Sequence, residues 1–458
     1  MIETRRTALD LVVAGTLWAA VLAAACGSSV LLGFVSVGKP ARWWLLGLLG
    51  VVALARALAF RSEWRLRPFV VAGLVLLCAL CLESSAWSIL PRTTFERSVS
   101  VCVVISVSAI LAGSAALSTA TADRLLGALL AAAAAVAAAG FILWLVDPST
   151  AVQAASTEYP ARFEGFEQNP NTAAMLLAFG MPLAFGRALA ARTVRRALPF
   201  VLLLLAFIAE IVASGSRGGL AAGFLALLVV PALAAGPRRR RIGVAAAVLA
   251  ALVVAAWAMT IPRALTAATP PVPSAPSAAG ASRGIDAETV IPLREEIGGP
   301  WWTHTSGAIH RTLFSTSTRT RAWRGAIDQA LGRPVEGFGF GAEQPAFVNR
   351  YYGFHSDNPE NGYIGLFIQV GLAGLLGFLA VAVLCLAPAV RQSLRGEASR
   401  DGWAPAAVGG ASAGLFLGMS QSYFHAAGNI VFLAFWVALL LASVAGISPR
   451  PKALTPPG

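Results

Sequence analysis

The feature that most constrains this chain is a succession of long apolar stretches, each built mainly from Ala, Leu and Val. Hydrophobic residues make up 57% of the chain and charged residues only 12%, far from the composition of a water-soluble domain. About twelve stretches approach the roughly 20 apolar residues with which a helix crosses a bilayer. They run over residues 8–28, 42–60, 67–84, 97–117, 122–146, 171–190, 197–213, 218–235, 242–260, 362–387, 404–421 and 428–446. Because none alternates apolar and polar residues, the sequence predicts an all-α, polytopic membrane protein rather than a β-barrel.

The orientation follows from the loops between these stretches, since basic residues collect in alternate loops. That side carries Arg5, Arg6, Arg56, Arg61, Arg65, Arg67, Arg124, Arg187, Arg192, Arg195, Arg196, Arg238–Arg241, Arg391, Arg395, Arg400, Arg450 and Lys452. An excess of Arg and Lys marks the cytoplasmic side, so both termini are predicted to be cytoplasmic. The net charge of +13 is therefore mostly a topology signal, and we expect no nucleic-acid partner.

The predicted spans and loops divide the chain into three parts. Residues 1–260 hold transmembrane helices one to nine, 261–361 form one large outer loop, and 362–458 hold helices ten to twelve and a short cytoplasmic tail. Within the outer loop a helix is predicted from about residue 317 to 331, with an apolar face formed by Trp323, Ile327, Ala330 and Leu331. Gly332-Arg333-Pro334 is predicted to end it.

One arginine lies between two apolar stretches, in the segment Ser214-Gly215-Ser216-Arg217-Gly218-Gly219. This segment is predicted to form a helical hairpin tip at the outer edge of the bilayer. A guanidinium at that depth is costly unless an anion meets it, which makes Arg217 a candidate binding residue. The alternative is an interfacial anchor whose long side chain reaches the lipid headgroups.

Two further outer segments carry polar groups that suit the same chemistry. A short loop holds Arg162 with Asn169 and Asn171, and the end of the large loop holds His355, Glu360 and Asn361. Arginines hold phosphate through forked donors, and a carboxylate or imidazole can remove a proton from a sugar hydroxyl. Convergence of these segments would suit glycan transfer from a lipid-linked diphosphate. The alternative roles are structural: a loop brace for Arg162, and turn or helix caps for the asparagines.

The order of these pieces resembles the O-antigen ligase and O-antigen polymerase family of integral-membrane glycosyltransferases. Five fragments carry the resemblance: Ser85-Ala86-Trp87-Ser88 followed by Pro91; Arg162-Phe163-Glu164-Gly165 with Asn169-Pro170-Asn171; Ser214–Gly219; Arg319 or Arg321 with Trp323 and Pro334–Gly341; and Asn361 followed by Gly371–Leu375. One departure matters, because the family's histidine before that asparagine falls on Glu360 here. His355 precedes it by five residues, so either residue is a candidate base.

The resemblance implies a metal-independent and cofactor-free transfer in the bacterial cytoplasmic membrane, with the active site facing outward and inversion at the anomeric carbon. The donor would be an undecaprenyl-diphosphate-linked glycan and the acceptor a glycan or glycolipid. Its substrate-binding residues would be Arg217, Arg319, Arg321, Arg162, Ser214, Ser216 and Asn361, and its catalytic base Glu360 or His355.

Three other functions remain open at this point. A polymerase of lipid-linked repeats would use the same chemistry and differ only in its acceptor. A transporter or flippase of lipid-linked sugars predicts charged residues spread through several spans and two similar halves, neither of which the sequence has. A non-catalytic scaffold would tolerate loss of Arg217.

Overall fold

The described part of the chain is a bundle of long apolar helices with one pair of short strands. The computed structural model describes residues 2–29, 31–61, 64–153, 161–165, 168–234, 243–244, 246, 319–347, 358–395, 403–445 and 447. Before the large loop the helices are α1 Ile2–Gly27, α2 Leu32–Ala59, α3 Pro68–Glu83, α4 Pro91–Ala115, α5 Thr119–Val146, α6 Pro148–Ala151, α7 Pro170–Ala190, α8 Val194–Ala213 and α9 Arg217–Leu233. A short 3-10 helix, Ser84–Ala86, follows α3, and two strands, β1 Val152–Gln153 and β2 Arg162–Phe163, pair antiparallel.

The large loop and the C-terminal part contribute the remaining helices. These are α10 Arg319–Ala330, α11 Glu343–Phe347, α12 Gly362–Leu394, α13 Trp403–Gly418 and α14 Phe432–Val444. Among the described residues, eight helices are long and apolar enough to cross a membrane, and α9 and α14 are shorter apolar helices. The all-α polytopic architecture is thus confirmed, while the number of about twelve spans stays a prediction. The ninth predicted span, 242–260, lies almost wholly outside the described residues.

The surface of the bundle is apolar where spans face outward. On α2, α3 and α8 only 28% of the most apolar window is buried inside the protein. Trp44, Phe69 and Val194 are each more than three-quarters exposed there. In water, an exposed apolar surface of this kind would promote aggregation. Helices that face lipid present such a surface. The protein core lies instead around α7, α13 and α14, and every residue of α14 is buried.

A buried ion-pair cluster joins α1, α2, α4 and α5 at the end of the bundle that is predicted to be cytoplasmic. Asp10 accepts hydrogen bonds from Arg56 Nε at 2.5 Å, Arg124 Nη1 at 2.7 Å and Thr121 Oγ1 at 2.8 Å. Arg56 is fully buried and also donates to the Ser114 carbonyl. Buried charges persist only when paired and hydrogen-bonded, so this cluster fixes four helices against one another.

Glycines shape α12, which is broken within its span. Val370 and Gly371 leave the helical conformation, and Gly371 takes φ +62. The sequence suggests that Gly371, Gly374 and Gly377 simply let helices approach closely, but a Cβ at Gly371 would lie 2.0 Å from the Val335 carbonyl oxygen. The glycine therefore admits a segment of the outer loop, and the explanation by helix–helix approach is wrong at this position.

Removing the acidic centre of the buried cluster tests its importance. We expect Asp10→Ala to destabilise the protein by about 3–5 kcal/mol, because Arg56 would remain buried without its charge partner. The measurement is thermal or denaturant unfolding of the purified protein in detergent. Glu96→Gln is the matched control, since Glu96 pairs with Arg92 on the surface, where the two side chains are 61% and 92% exposed. Equal unfolding temperatures for the two variants would contradict the assigned role of the cluster.

Candidate functional site

The turn between α8 and α9 is built by its own small residues. Ser214 Oγ donates to the Ile211 carbonyl and accepts from the Ser216 amide at 3.2 Å. Gly215 takes φ +62, a conformation that favours glycine, and so reverses the chain. Ser216 then caps α9 by accepting from the Gly219 amide. Arg217 is thereby placed on the first turn of α9, partly exposed, where the positive end of the helix dipole favours an anion.

Arg162 lies directly beneath this turn. It is 8% exposed, and its Nε donates to the Ser214 carbonyl at 2.7 Å while its Nη2 donates to Asn171 Oδ1 at 2.9 Å. Asn169 caps α7, as one alternative in the sequence analysis predicted. The structure thus brings two of the three outer segments together, with Arg162 as the brace between them.

Glu360 occupies an unusual backbone conformation just before α12. It is the one non-glycine residue with positive φ, at +48, in the part of the chain that the structure describes. Its amide donates to Asn358 Oδ1 at 2.9 Å, and its carboxylate forms an ion pair with Arg319 Nη2. Both side chains are about one-quarter exposed, at 25% and 24%, so a ligand can reach the pair. Strained residues of this kind collect at functional sites.

Asn361, the next residue, is fully engaged within the protein. Its Oδ1 caps α12 by accepting from the amides of Tyr363 and Ile364, and its Nδ2 donates to the Met419 carbonyl. The helix-cap alternative is therefore what the structure shows for this side chain. The second candidate base, His355, lies outside the described residues.

Helix α10 carries Arg319 and Arg321 on its first turn and packs on α12 through small residues. Its buried face consists of Ala322, Ala326 and Ala330, against Phe347 and Ile368. The helix itself is confirmed, but the predicted apolar face is wrong in part, because Ile327 and Leu331 are 38% and 59% exposed. Alanines allow the closer backbone approach, which explains why they face α12. Trp323 fixes the helix to the site, since its Nε1 donates to the Pro359 carbonyl at 2.8 Å.

The loop segment Pro334–Gly341 enters the break in α12 and supplies the hydrogen bonds that the broken helix lacks. The amides of Phe338 and Gly339 donate to the carbonyls of Ile368 and Gln369. In the opposite direction, the amides of Leu372 and Ala373 donate to the carbonyls of Pro334 and Val335. The segment also contacts the early outer loop, where Trp87 Nε1 donates to the Glu336 carbonyl and Ile89 N to the Phe338 carbonyl. The early outer loop around Trp87 and the segment Pro334–Gly341, which are distant in sequence, thus form one scaffold that supports the site.

The turn between α13 and α14, residues 419–425, connects the two halves of the site and was not predicted as part of it. On one side Ser420 lies against α9, because a Cβ at Gly218 would come within 2.2 Å of its Oγ. On the other side, the Asn361 amide donates to Ser422 Oγ at 3.0 Å. The sequence offered no signal for this turn beyond a cluster of polar and aromatic residues between two apolar stretches.

Two buried groups hold this turn in place. His425 Nε2 lies 2.7 Å from Glu343 Oε2, and Ser422 Oγ donates to Glu343 Oε1 at 3.0 Å. Glu343 was not predicted from the sequence as part of the site, and only 2% of its side chain is exposed. Burial also raises the pKa of Tyr423 well above its usual value, so its hydroxyl stays neutral and donates to the Gly414 carbonyl at 2.6 Å.

The assembled site offers fixed cations and one accessible carboxylate. Arg217 at the start of α9 and Arg319 at the start of α10 are the cations, and Glu360 is the carboxylate. Among the described residues, no group of three or more His, Cys, Asp or Glu side chains is placed to hold a metal ion. Such an arrangement can bind a dianionic group and accept a proton nearby.

Comparison with known proteins gives one match. A family model described as O-antigen ligase matches residues 200–379. The matched region begins in α8 and ends in α12, so it contains the Arg217 turn, α10 and Glu360. A search of the curated proteins found none that matches the chain.

The contact between α9 and the 419–425 turn can be tested through stability. Gly218→Ala should lower stability by about 1–3 kcal/mol, because the added methyl overlaps Ser420 Oγ and Cβ. The double variant Gly218→Ala with Ser420→Gly removes both atoms and should recover the loss. Gly377→Ala is the control, since nothing lies within 4 Å of a Cβ there. The measurement is the unfolding temperature of each variant in detergent. A Gly218→Ala variant with the wild-type unfolding temperature would show that the contact is absent.

Proposed function

Because a family model described as O-antigen ligase matches residues 200–379, we propose that the protein transfers a glycan from an undecaprenyl-diphosphate donor to an acceptor hydroxyl on the outer face of the membrane. Its role in lipid-linked glycan transfer for cell-surface polysaccharide synthesis follows from the family. One structural observation supports the finer assignment: the 419–425 turn joins the Arg217 end of α9 to the Arg319–Glu360 ion pair.

In this proposal the donor diphosphate binds at the start of α9. Arg217 supplies a permanent charge with forked donors, and the positive end of the α9 helix dipole also favours an anion at this position. Ser214, Ser216 and Arg162 shape the turn from below, so they act on the diphosphate through the position of Arg217. Arg319 and Arg321, on the first turn of α10, are the further cations proposed for the leaving diphosphate.

The acceptor hydroxyl is proposed to bind beside Glu360. Its oxygen attacks the anomeric carbon of the donor glycan while the bond from that carbon to the phosphate oxygen breaks. The hydroxyl proton passes to the Glu360 carboxylate, and undecaprenyl diphosphate leaves as an anion held by the arginines. Attack opposite the leaving group inverts the anomeric carbon. Arg319 then has a double use, because protonation of Glu360 frees its guanidinium for the diphosphate.

The remaining alternatives differ in how they relate to these residues. A polymerase would use the same donor site and base with a lipid-linked acceptor, so it shares every step above. If the protein were a transporter, acidic residues within the membrane spans would be expected to take part in ion movement. Asp10 instead is buried and accepts from Arg56, Arg124 and Thr121, so both of its carboxylate oxygens have partners, which favours transfer over transport.

Replacing Arg217 tests the donor site. Arg217→Ala should lower kcat/KM for the donor by about 10²–10³-fold, because a charge-stabilising donor to the leaving group is lost. Arg217→Lys should recover part of the loss, since lysine keeps the charge without the fork. The assay uses the purified full-length protein in proteoliposomes, labelled undecaprenyl-diphosphate glycan and candidate acceptors. Arg92→Ala, at an exposed arginine on α4, is the control. Full transfer by Arg217→Ala would overturn the donor assignment.

Replacing the two candidate bases side by side tests the acceptor side. Glu360→Gln should lower kcat by about 10²–10⁴-fold, because the amide keeps the shape but cannot take up the proton. His355→Ala should retain activity if Glu360 is the base. An inactive His355→Ala with an active Glu360→Gln would assign the base to His355. If both variants are active, neither residue is the base.

A further inference from the structure

The buried Glu343–His425 pair has no part in the proposed transfer, yet Ser422 links it to the amide of Asn361, the residue that follows Glu360. Glu343 sits on α11 in the outer loop, and its side chain is 2% exposed; that of His425 is 10% exposed. A buried carboxylate is expensive and persists only where its oxygens are satisfied. Here each oxygen has a partner, Ser422 Oγ at 3.0 Å and His425 Nε2 at 2.7 Å.

The direction of the hydrogen bonds follows from what each group can do. A backbone amide can only donate, so the Asn361 amide must give its hydrogen to Ser422 Oγ. The Ser422 hydroxyl hydrogen is then free for Glu343 Oε1. Glu343 thus accepts from Ser422, while His425 Nε2 meets its other oxygen. The network runs in one direction, from the site inward to the buried carboxylate.

This direction matters for Glu360 because the Asn361 amide belongs to the peptide group that follows Glu360. Two hydrogen bonds therefore hold the left-handed backbone of Glu360. Its own amide donates to Asn358 Oδ1, and the next amide donates to Ser422 Oγ. A non-glycine residue at positive φ is strained and persists only where its surroundings hold it.

The packing around Glu343 is also fitted to the carboxylate. A Cβ at Gly365, on the first turns of α12, would overlap Glu343 Oε1, so any larger residue there would displace the carboxylate. The pair therefore joins three parts of the molecule: α11 of the loop, the outer end of α12, and the 419–425 turn. His425 and Ser422 lie beyond residues 200–379, the region matched by the family model.

We propose that Ser422, Glu343 and His425 are positioning residues that set the backbone of Glu360 and so aim its carboxylate at the acceptor hydroxyl. This inference rests on the proposed function, because it requires Glu360 to be the base. It predicts that loss of the network slows the chemical step while leaving donor binding at Arg217 intact.

The central test is the pair Ser422→Ala and Ser422→Thr in the proteoliposome assay. Ser422→Ala removes the acceptor of the Asn361 amide and should lower kcat by about 10–100-fold, with KM for the donor changed less than about threefold. Ser422→Thr keeps the hydroxyl and should restore most of the rate. Glu343→Gln and His425→Ala should resemble Ser422→Ala. Glu336→Gln, an exposed acid of the same loop, is the control and should behave as wild type.

A double-mutant cycle separates positioning from a general loss of structure. If Ser422 acts through Glu360, Ser422→Ala should have no further effect in the Glu360→Gln background. An equal further loss in that background would overturn the proposal, as would an unchanged kcat in Ser422→Ala alone. Rates are normalised to folded protein by size-exclusion chromatography, and the serine pair decides the case if Glu343→Gln does not fold.

The outcomes also distinguish this inference from the proposed function. A wild-type protein without transfer activity would overturn the function itself, and an active Glu360→Gln would overturn the base assignment and this inference with it. An active wild type, an inactive Glu360→Gln and a fully active Ser422→Ala would overturn the inference alone.

Discussion

The structure depends on one constraint, which is that backbone N–H and C=O groups buried away from water must find hydrogen-bond partners in the protein. The break in α12 at Val370 and Gly371 exposes such groups. The segment Pro334–Gly341 satisfies them from both sides, so the outer loop is tied to the membrane helix at the level of the backbone. Helix α10 precedes this segment and α11 follows it, so the positions of Arg319 and Glu343 both follow from that attachment.

The helices could be predicted because apolar stretches of spanning length have few alternative structures in a membrane. The break in α12 could not, since Ile368-Gln369-Val370-Gly371-Leu372 continues an apolar helical pattern. Whether a lone glycine bends a helix depends on what packs beside it, and here the partner lies some thirty residues upstream in a loop of different composition. Two of the alanines of α10 that face α12, Ala322 and Ala326, were missed for a related reason, because large apolar residues dominate a sequence pattern even where small ones make the contact.

The candidate site residues could be identified from the sequence, but which of them bind a ligand and which only support the site could not. Arg162, Arg217 and Arg319 look equivalent as outer arginines. In the structure Arg162 is a buried brace whose Nε and Nη2 donate to neighbouring residues, while Arg319 faces a carboxylate and is partly accessible. The difference comes from long-range contacts, such as Arg162 with Ser214, which no local spacing encodes. The same holds for Ser422 and His425, whose partners lie in two other parts of the chain.

The ion pair between Arg319 and Glu360 explains how a carboxylate base and a bound diphosphate could lie close together in the proposed reaction. A carboxylate beside a bound diphosphate would repel it, and the arginine between them offsets that repulsion before the reaction begins. As the hydroxyl proton moves to Glu360, one negative charge disappears from the acceptor side while one develops on the leaving diphosphate. Arg319 can follow that charge with a small movement, whereas a neutral histidine in the place of Glu360 would become a cation at this step and repel the arginine. The carboxylate at residue 360 and an arginine at residue 319 are therefore best understood as one unit.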